Sequence, residues 1–320
     1  MSQSCSVLLW HVHGSWTSAF VAGRHRYLLP VNDTGDEWGR GRCGRPWSDS
    51  VFDVPVDRAP AQDVDVVVLQ RPQELELAEA ILGRRLGRDV PAIYVEHNAP
   101  RPSPVHSVHP LADRSDIPVV HVTEFNRLMW DTGVAPTTVI PHGIADPGPL
   151  YTGSLPRAVT MINDPVRRGR VVGTDLLGPL AGAAPLDVFG MRTRELDEPT
   201  ANVRGLGDVQ GHELHREIAR RRVYVHTARW TSLGLSLLEA MYLGMPVVAV
   251  ATTEVAATVP PEVGVLSNDV DVLRAGISEL VHEPIAAELA GKAARSFVSA
   301  RHDLPTFLDR WDSALAAVLP

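Results

Sequence analysis

Short apolar runs alternate along the chain with segments whose apolar positions recur every three or four residues. The first kind predicts buried strands and the second amphipathic helices. In the first half the strands fall at residues 7–12, 27–31, 66–69, 92–95, 119–122 and 138–141. Residues 17–22, 74–86 and 124–130 read as helices, the second carrying Leu75, Ala78, Leu82 and Leu86 on one stripe. Residues 32–60, rich in Gly, Arg, Asp and Pro, predict a loop, and residues 99–117, with His106 and His109, predict another. In the second half the strands are 158–162, 186–190, 203–209, 223–227, 246–251 and 264–266, with helices at 174–181, 212–221 and 232–243. The last segment, 304–319, is expected to turn Phe307, Leu308, Trp311 and Leu315 toward a neighbour. Strand alternating with helix predicts an α/β fold built on parallel, doubly wound sheets.

At 320 residues the chain exceeds a usual single domain, so two domains with separate cores are expected. The net charge of −8 argues against a general nucleic-acid binder. Lys292 is the one lysine among 30 basic residues, a bias that fits a high-GC bacterial genome and lets Arg stand where Lys is common. There is no export-signal pattern near the start and no apolar run of membrane-spanning length, so a cytoplasmic location is expected. Cys5 and Cys43 are too few for a disulfide framework or a zinc site. His11 and His13 lack an evident third ligand, so no metal is expected. No G-x-G-x-x-G follows the first strand, which counts against a dinucleotide dehydrogenase.

The chemistry concentrates in residues 230–251, WTSLGLSLLEAMYLGMPVVAVA. Thr231 and Ser232 are residue types that cap a helix start, and Gly234 lets a ligand approach the backbone. Such a start suits an anion, because unpaired amides and the positive end of the helix dipole point the same way. Glu239 lies about two turns beyond Ser232 and shares its face.

GLSLLEAMYLGMPVVA resembles the carboxy-terminal signature of glycosyltransferase family 4, retaining enzymes of the GT-B fold. That pattern is E-G-F-G-L, three residues, E-A-M, a spacer and G-x-P-V-V. Glu239 matches the Glu that holds the nucleotide ribose; the first Glu, which contacts sugar hydroxyls, falls on Thr231, and Phe falls on Leu233. Arg168-Gly169 resembles the family's diphosphate-binding Lys-Gly pair, while the Arg five residues earlier falls on Asn163, leaving Arg167 to compensate. YVEHN resembles the strand that ends in the sugar-contacting histidine, here His97. Gly14 matches the glycine of the loop facing donor diphosphate or acceptor, Val209 falls near the base, and IPHGI resembles the V-I-P-N-G-V segment closing the first domain, with His142 for Asn. Asp63-Val-Asp65 precedes its apolar strand and so is not the D-x-D metal motif of the other major glycosyltransferase fold.

The resemblance implies two Rossmann-like doubly wound domains facing a cleft: an acceptor-side domain at 1–145, a linker at 146–156, a nucleotide-sugar domain at 157–302 and a terminal helix at 303–320 crossing back to the first. It implies a retaining, metal-independent glycosyltransferase with a nucleoside-diphosphate sugar as donor, an unidentified acceptor hydroxyl and no other cofactor. Arg168, His97 and Glu239 would be catalytic. Gly14, Arg167, Arg168, Val209, Thr231, Ser232, Leu233, Gly234, Leu235 and Glu239 would bind the donor. Arg40, Arg42 and Arg45 could contact an acidic acceptor or simply face solvent, and residues 99–117 are a candidate acceptor loop. Thr231 and Asn163 motivate the alternative of a catalytically lapsed sugar-nucleotide-binding or scaffold protein on the same fold.

Overall fold

The computed structural model describes residues 4–196, 202–209 and 211–320. By packing it divides into two compact units, one ending at Ala145 but including Leu304–Pro320, the other Asp146–Asp303.

The first unit runs β1 (Ser6–Leu9), α1 (Gly14–Phe20), β2 (Arg26–Val31), β3 (Val51–Pro55), β4 (Val66–Leu69) and α2 (Gln73–Leu82). It continues through β5 (Ala92–Glu96), β6 (Val119–His121), α3 (Glu124–Met129) and β7 (Thr137–Val139). The strands form one sheet in the order β3-β2-β1-β4-β5-β6-β7, every pair parallel. Inner strands such as β4, Val-Val-Val-Leu, are buried along their whole length because both faces of a parallel sheet are covered. At the edges burial lapses, and this hides β3 inside the predicted loop 32–60. Only Val51 and Val54 of β3 are buried, while Phe52, Asp53 and Pro55 face solvent. The loop before β3 is stapled by Arg42, whose amide donates to Asp53 Oδ1 (2.7 Å) and whose guanidinium donates to the carbonyls of Val51 and Trp47. Arg42 is therefore structural. α2 stops short of residue 86 because Gly83 takes a left-handed conformation (φ 63°) and caps it. Leu86 is still buried, paired with Val90 in an isolated bridge.

The second unit runs β8 (Leu155–Met161), α4 (Pro165–Arg168), α5 (Leu177–Ala181), β9 (Leu186–Phe189), β10 (Val203–Gly207), α6 (Gly211–Ala219) and β11 (Arg221–His226). It ends with α7 (Leu235–Leu243), β12 (Val247–Val250), α8 (Val255–Thr258), β13 (Gly264–Ser267), α9 (Val270–His282) and α10 (Pro284–Arg301). Its sheet is also wholly parallel, in the order β10-β9-β8-β11-β12-β13. The stretch expected as linker gives its last two residues to β8, and the expected helix 174–181 opens as a 3-10 turn, Thr174–Leu176, before α5. The expected helix 212–221 ends at Ala219 because Arg221 already pairs in β11, and the expected strand 203–209 ends at Gly207 (φ 84°).

Each sheet is wound outward in two directions from a central pair, β1/β4 in one unit and β8/β11 in the other. At such a switch point the two neighbouring connections leave in opposite directions and open a crevice at the carboxyl ends of the strands. The amino-terminal side of the second sheet is closed by charge. Asp187 on β9, 1% exposed, accepts from Arg157 on β8 (2.6 Å) and Arg221 on β11 (2.9 Å), and Arg221 also reaches Glu217 (2.8 Å). A carboxylate so buried is tolerable only with its cations in place.

The final helix, α11 (Leu304–Val318), belongs to the first unit. Trp311 packs edge-on to Trp16 and Phe20 of α1 (centroids 5.7 and 5.0 Å), Phe307 lies against Gly143, and Asp312 accepts from His25 and Arg24, each at 2.9 Å. Trp311→Ala should therefore cost the first unit about 3–5 kcal/mol, a cavity cost for a fully buried ring. Urea denaturation followed by tryptophan fluorescence measures it; an unchanged first-unit midpoint would contradict this packing role.

Candidate functional site

In the second unit the switch point is flanked by residues 162–168, after β8, and residues 227–234, after β11. The second loop is tied to the segment that follows α4. Thr227 Oγ1 donates to the Val172 carbonyl (2.7 Å), the amides of Arg229 and Trp230 donate to the Val171 carbonyl (2.9 and 3.2 Å), and the Arg229 guanidinium pairs with both oxygens of Asp175.

α7 begins at Leu235, three residues later than the sequence suggests. Its N-cap is Gly234, in extended conformation, so neither Thr231 nor Ser232 is the N-cap residue. Ser232 and Leu233 are buried and anchor the loop ahead of Gly234. The first helical hydrogen bonds run from the Leu237 and Leu238 amides to the Gly234 carbonyl, which leaves the Leu235 and Ser236 amides ahead of the ladder. A side chain at Gly234 would meet the His226 ring at 2.7 Å, so only glycine lets the loop lie over this imidazole. His226 is buried, and burial pushes it down to about 4. Ser236 Oγ accepts from Tyr224 (3.0 Å). Glu239 lies four residues, about one turn, into the helix, with Oε2 3.7 Å from His215 Nε2 of α6. The sequence reading passed over Ser236, Tyr224, His215 and His226; the strand-to-helix spacing around Glu239 is the signal that could have found the first.

Across the switch point Asn163 Oδ1 accepts from the Met191 amide (2.9 Å) and joins the loops after β8 and β9. Asp164, in a left-handed conformation (φ 52°), accepts from Arg167 (2.8 Å), and that bond holds its carboxyl below the usual range. Arg167 is thus engaged locally within α4, where the sequence reading had it standing in for the cation absent at Asn163. Arg168 is half-buried and ends α4. Val209, just past the edge strand β10, lies two strand positions from β8, roughly 10 Å, and is not brought beside the other donor residues by the sheet order.

In the first unit the carboxyl edge gathers imidazoles. The His13 and His97 rings lie 4.2 Å apart between centroids, His97 and His142 6.3 Å, and the Trp16 ring stands edge-on to His97 at 5.0 Å. His97 Nε2 donates to Gln70 Oε1 (3.1 Å), and Gln70 in turn donates to the Trp10 carbonyl (2.8 Å). Burial, then the neighbouring His13 and His142, holds His97 well below an ordinary histidine. A side chain at Gly14 would collide with the Arg45 guanidinium (2.9 Å), so the glycine position is covered by the loop before β3. In the candidate acceptor loop His106 is exposed, whereas His109 is buried 3.4 Å from Glu96 with Trp130 against its ring. Among the described residues no group of three or more His, Cys, Asp or Glu is placed to hold a metal, and no helix is long and apolar enough to cross a membrane.

Residues 194–297 match the sequence profile of the family described as "Glycosyl transferases group 1". The second unit carries a group 1 glycosyl transferase domain. Over 95 residues the chain is 36% identical to sulfoquinovosyl transferase SQD2 of Arabidopsis thaliana, a stretch covering 28% of this chain and 19% of that protein. The structure is similar to sucrose-phosphate synthase from Thermosynechococcus elongatus (TM-score 0.71, 14% identity, 98% of this chain and 99% of that one). It is also similar to Anabaena HepE in complex with UDP-glucose (TM-score 0.70, 16% identity, 98% and 100%). The fold is that of the GT-B glycosyltransferases.

The buried imidazoles set a pH dependence. His226 and His121 each take a proton near pH 6.5 when unfolded but only at about 4 when folded, because burial penalises the charged ring. Between those values the unfolded chain binds more protons, so stability should hold above pH 6.5 and fall as the pH drops toward 4. Urea denaturation across that interval should show a shallower fall for His226→Gln than for the unmodified protein.

Proposed function

We propose that the protein is a retaining, metal-independent glycosyltransferase that moves a sugar from a nucleoside-diphosphate sugar to an acceptor hydroxyl. The observation that carries this reading is the start of α7: two amides ahead of the helical ladder, a glycine with no room for a side chain, and a carboxylate one turn further on. Amides and dipole suit a diphosphate, and Glu239 lies at the distance of a ribose beyond it. Arg168, at the end of α4, supplies the cation. Thr231 to Leu235 line the donor, Ser236 joins them through its amide, and Val209 borders the base. In the first unit Gly14 belongs to the donor and acceptor side, and His97 positions the sugar as a neutral imidazole.

In the reaction the bond from the anomeric carbon to the diphosphate oxygen breaks, and the acceptor oxygen bonds to that carbon on the same face. The acceptor proton passes to the departing phosphate. Preorganised donors around the leaving diphosphate are the main catalytic contribution asked of the chain. Because HepE binds UDP-glucose on the same fold, a uridine nucleotide is the first donor to try. A cytoplasmic location and a high-GC bacterial source are part of the proposal, supported by the two unbridged cysteines and the arginine bias.

A second reading, a sugar-nucleotide-binding protein without turnover, is favoured by Thr231 in place of an acidic residue and by Asn163 being occupied by Met191. A thermal-shift panel with UDP, GDP, ADP and dTDP separates the possibilities in two stages. One nucleotide should raise the melting temperature, and Glu239→Ala and Arg168→Ala should each lose most of that rise. Stabilisation by none of the four would count against the donor site. Nucleotide binding without release of sugar from any UDP-sugar, with or without acceptors, would favour the second reading.

A further inference from the structure

The second unit also contains a cavity of about 630 Å³, away from the loops described above. It lies at the amino-terminal edge of the sheet. Gly153 precedes β8, Arg222 is the second residue of β11, and Gly244 precedes β12. The six residues of β11, roughly 17 Å, separate this edge from the start of α7. The cavity is also where the chain enters and leaves the unit. Pro149 to Gly153 follow the passage at Ala145, and Arg295, Ser296 and Ser299 precede the return at Leu304. Arg295 binds the two passages together by donating to both oxygens of Asp146 (2.9 and 2.6 Å) and to the Tyr242 carbonyl.

Close backbone packing forms the wall. Any side chain at Gly291 would run into the Gly244 carbonyl, so α10 rests directly on the turn after α7, and Tyr151 covers the Gly244 side. Tyr151, Leu243 and Pro284 give the cavity an apolar face. Against it stand three cations, Arg222, Lys292 and Arg295, and one carboxylate, Glu288. Arg222 is fixed by the Gly153 and Val281 carbonyls, and Lys292 gives Glu288 one of its three donors (2.6 Å). A volume in the range of small-molecule sites, an apolar wall and an excess of positive charge describe one class of ligand.

We propose that this cavity binds a small organic anion with an apolar body, at a site separate from the nucleotide loops. The proposal does not rest on the assigned reaction. The test is a fluorescence titration of the full chain with 8-anilinonaphthalene-1-sulfonate and, in parallel, its uncharged relative N-phenyl-1-naphthylamine. Lys292 and Ser299 are exposed helix positions, so Lys292→Glu and Ser299→Trp should keep the melting temperature of the unmodified protein. The sulfonate should saturate one site. Lys292→Glu should weaken it about tenfold and leave the neutral dye unchanged, and Ser299→Trp, which fills the cavity, should weaken both about tenfold. UDP should not displace the dye. The proposal is overturned if the sulfonate does not bind the unmodified protein, if neither variant changes its affinity, if Lys292→Glu weakens both dyes equally, or if UDP competes.

Discussion

The parallel sheet is the constraint on which the rest depends. Parallel neighbours cannot be joined by a tight turn, so each strand must return over a face of the sheet before the next begins. All strands of one unit therefore end at the same edge, and where the winding reverses, two connections leave that edge in opposite directions. In the second unit this puts the Asn163 to Arg168 segment and the Thr227 to Gly234 loop on either side of one crevice. The opposite edge is held by a different force. Asp187, Arg157 and Arg221 form a buried ionic group across β8, β9 and β11, so the sheet is fixed at one end while its other end carries the irregular backbone a ligand needs.

The first unit uses the same edge in another way. His13, His97 and His142 come from the segments after three different strands, and the rings of His13, His142 and Trp16 meet around His97. Gln70 fixes the His97 ring against the Trp10 carbonyl, and burial together with mutual repulsion keeps His97 uncharged. A neutral imidazole with a fixed tautomer offers a directed hydrogen bond without adding charge, which suits contact with a sugar hydroxyl better than with a phosphate.

Most of the architecture was legible because inner parallel strands are uniformly apolar. Val66 to Leu69 and Val247 to Val250 cannot be mistaken for anything solvent-exposed. β3 was not legible, since an edge strand buries only Val51 and Val54 and its Asp53 serves the preceding loop. The position of Glu239 near a glycine-bearing helix start could be read directly, but the start itself was placed too early. Thr231 and Ser232 have the chemistry of caps, and only the backbone shows that the helix waits until Leu235, with Gly234 as its N-cap. Arg168 stood out in sequence by its Arg-Gly pair, but the place of Arg167 could not be read, because the Asp164 that accepts from it takes a conformation no pattern announces. The cavity at the amino-terminal edge had no sequence signature, because its walls come from segments as distant as Tyr151 and Ser299.

The placement of α11 has a consequence for how the protein is made. Its Trp311 and Phe307 complete an aromatic cluster begun by Trp16 and Phe20, so the first unit is assembled from both ends of the sequence. During translation the ribosome must release the whole second unit before those rings emerge. The usual order, in which the earlier domain folds first, is then reversed. The Asp146–Asp303 unit can close its core on the nascent chain, while the seven-stranded sheet waits with Trp16 and Phe20 uncovered until α11 emerges.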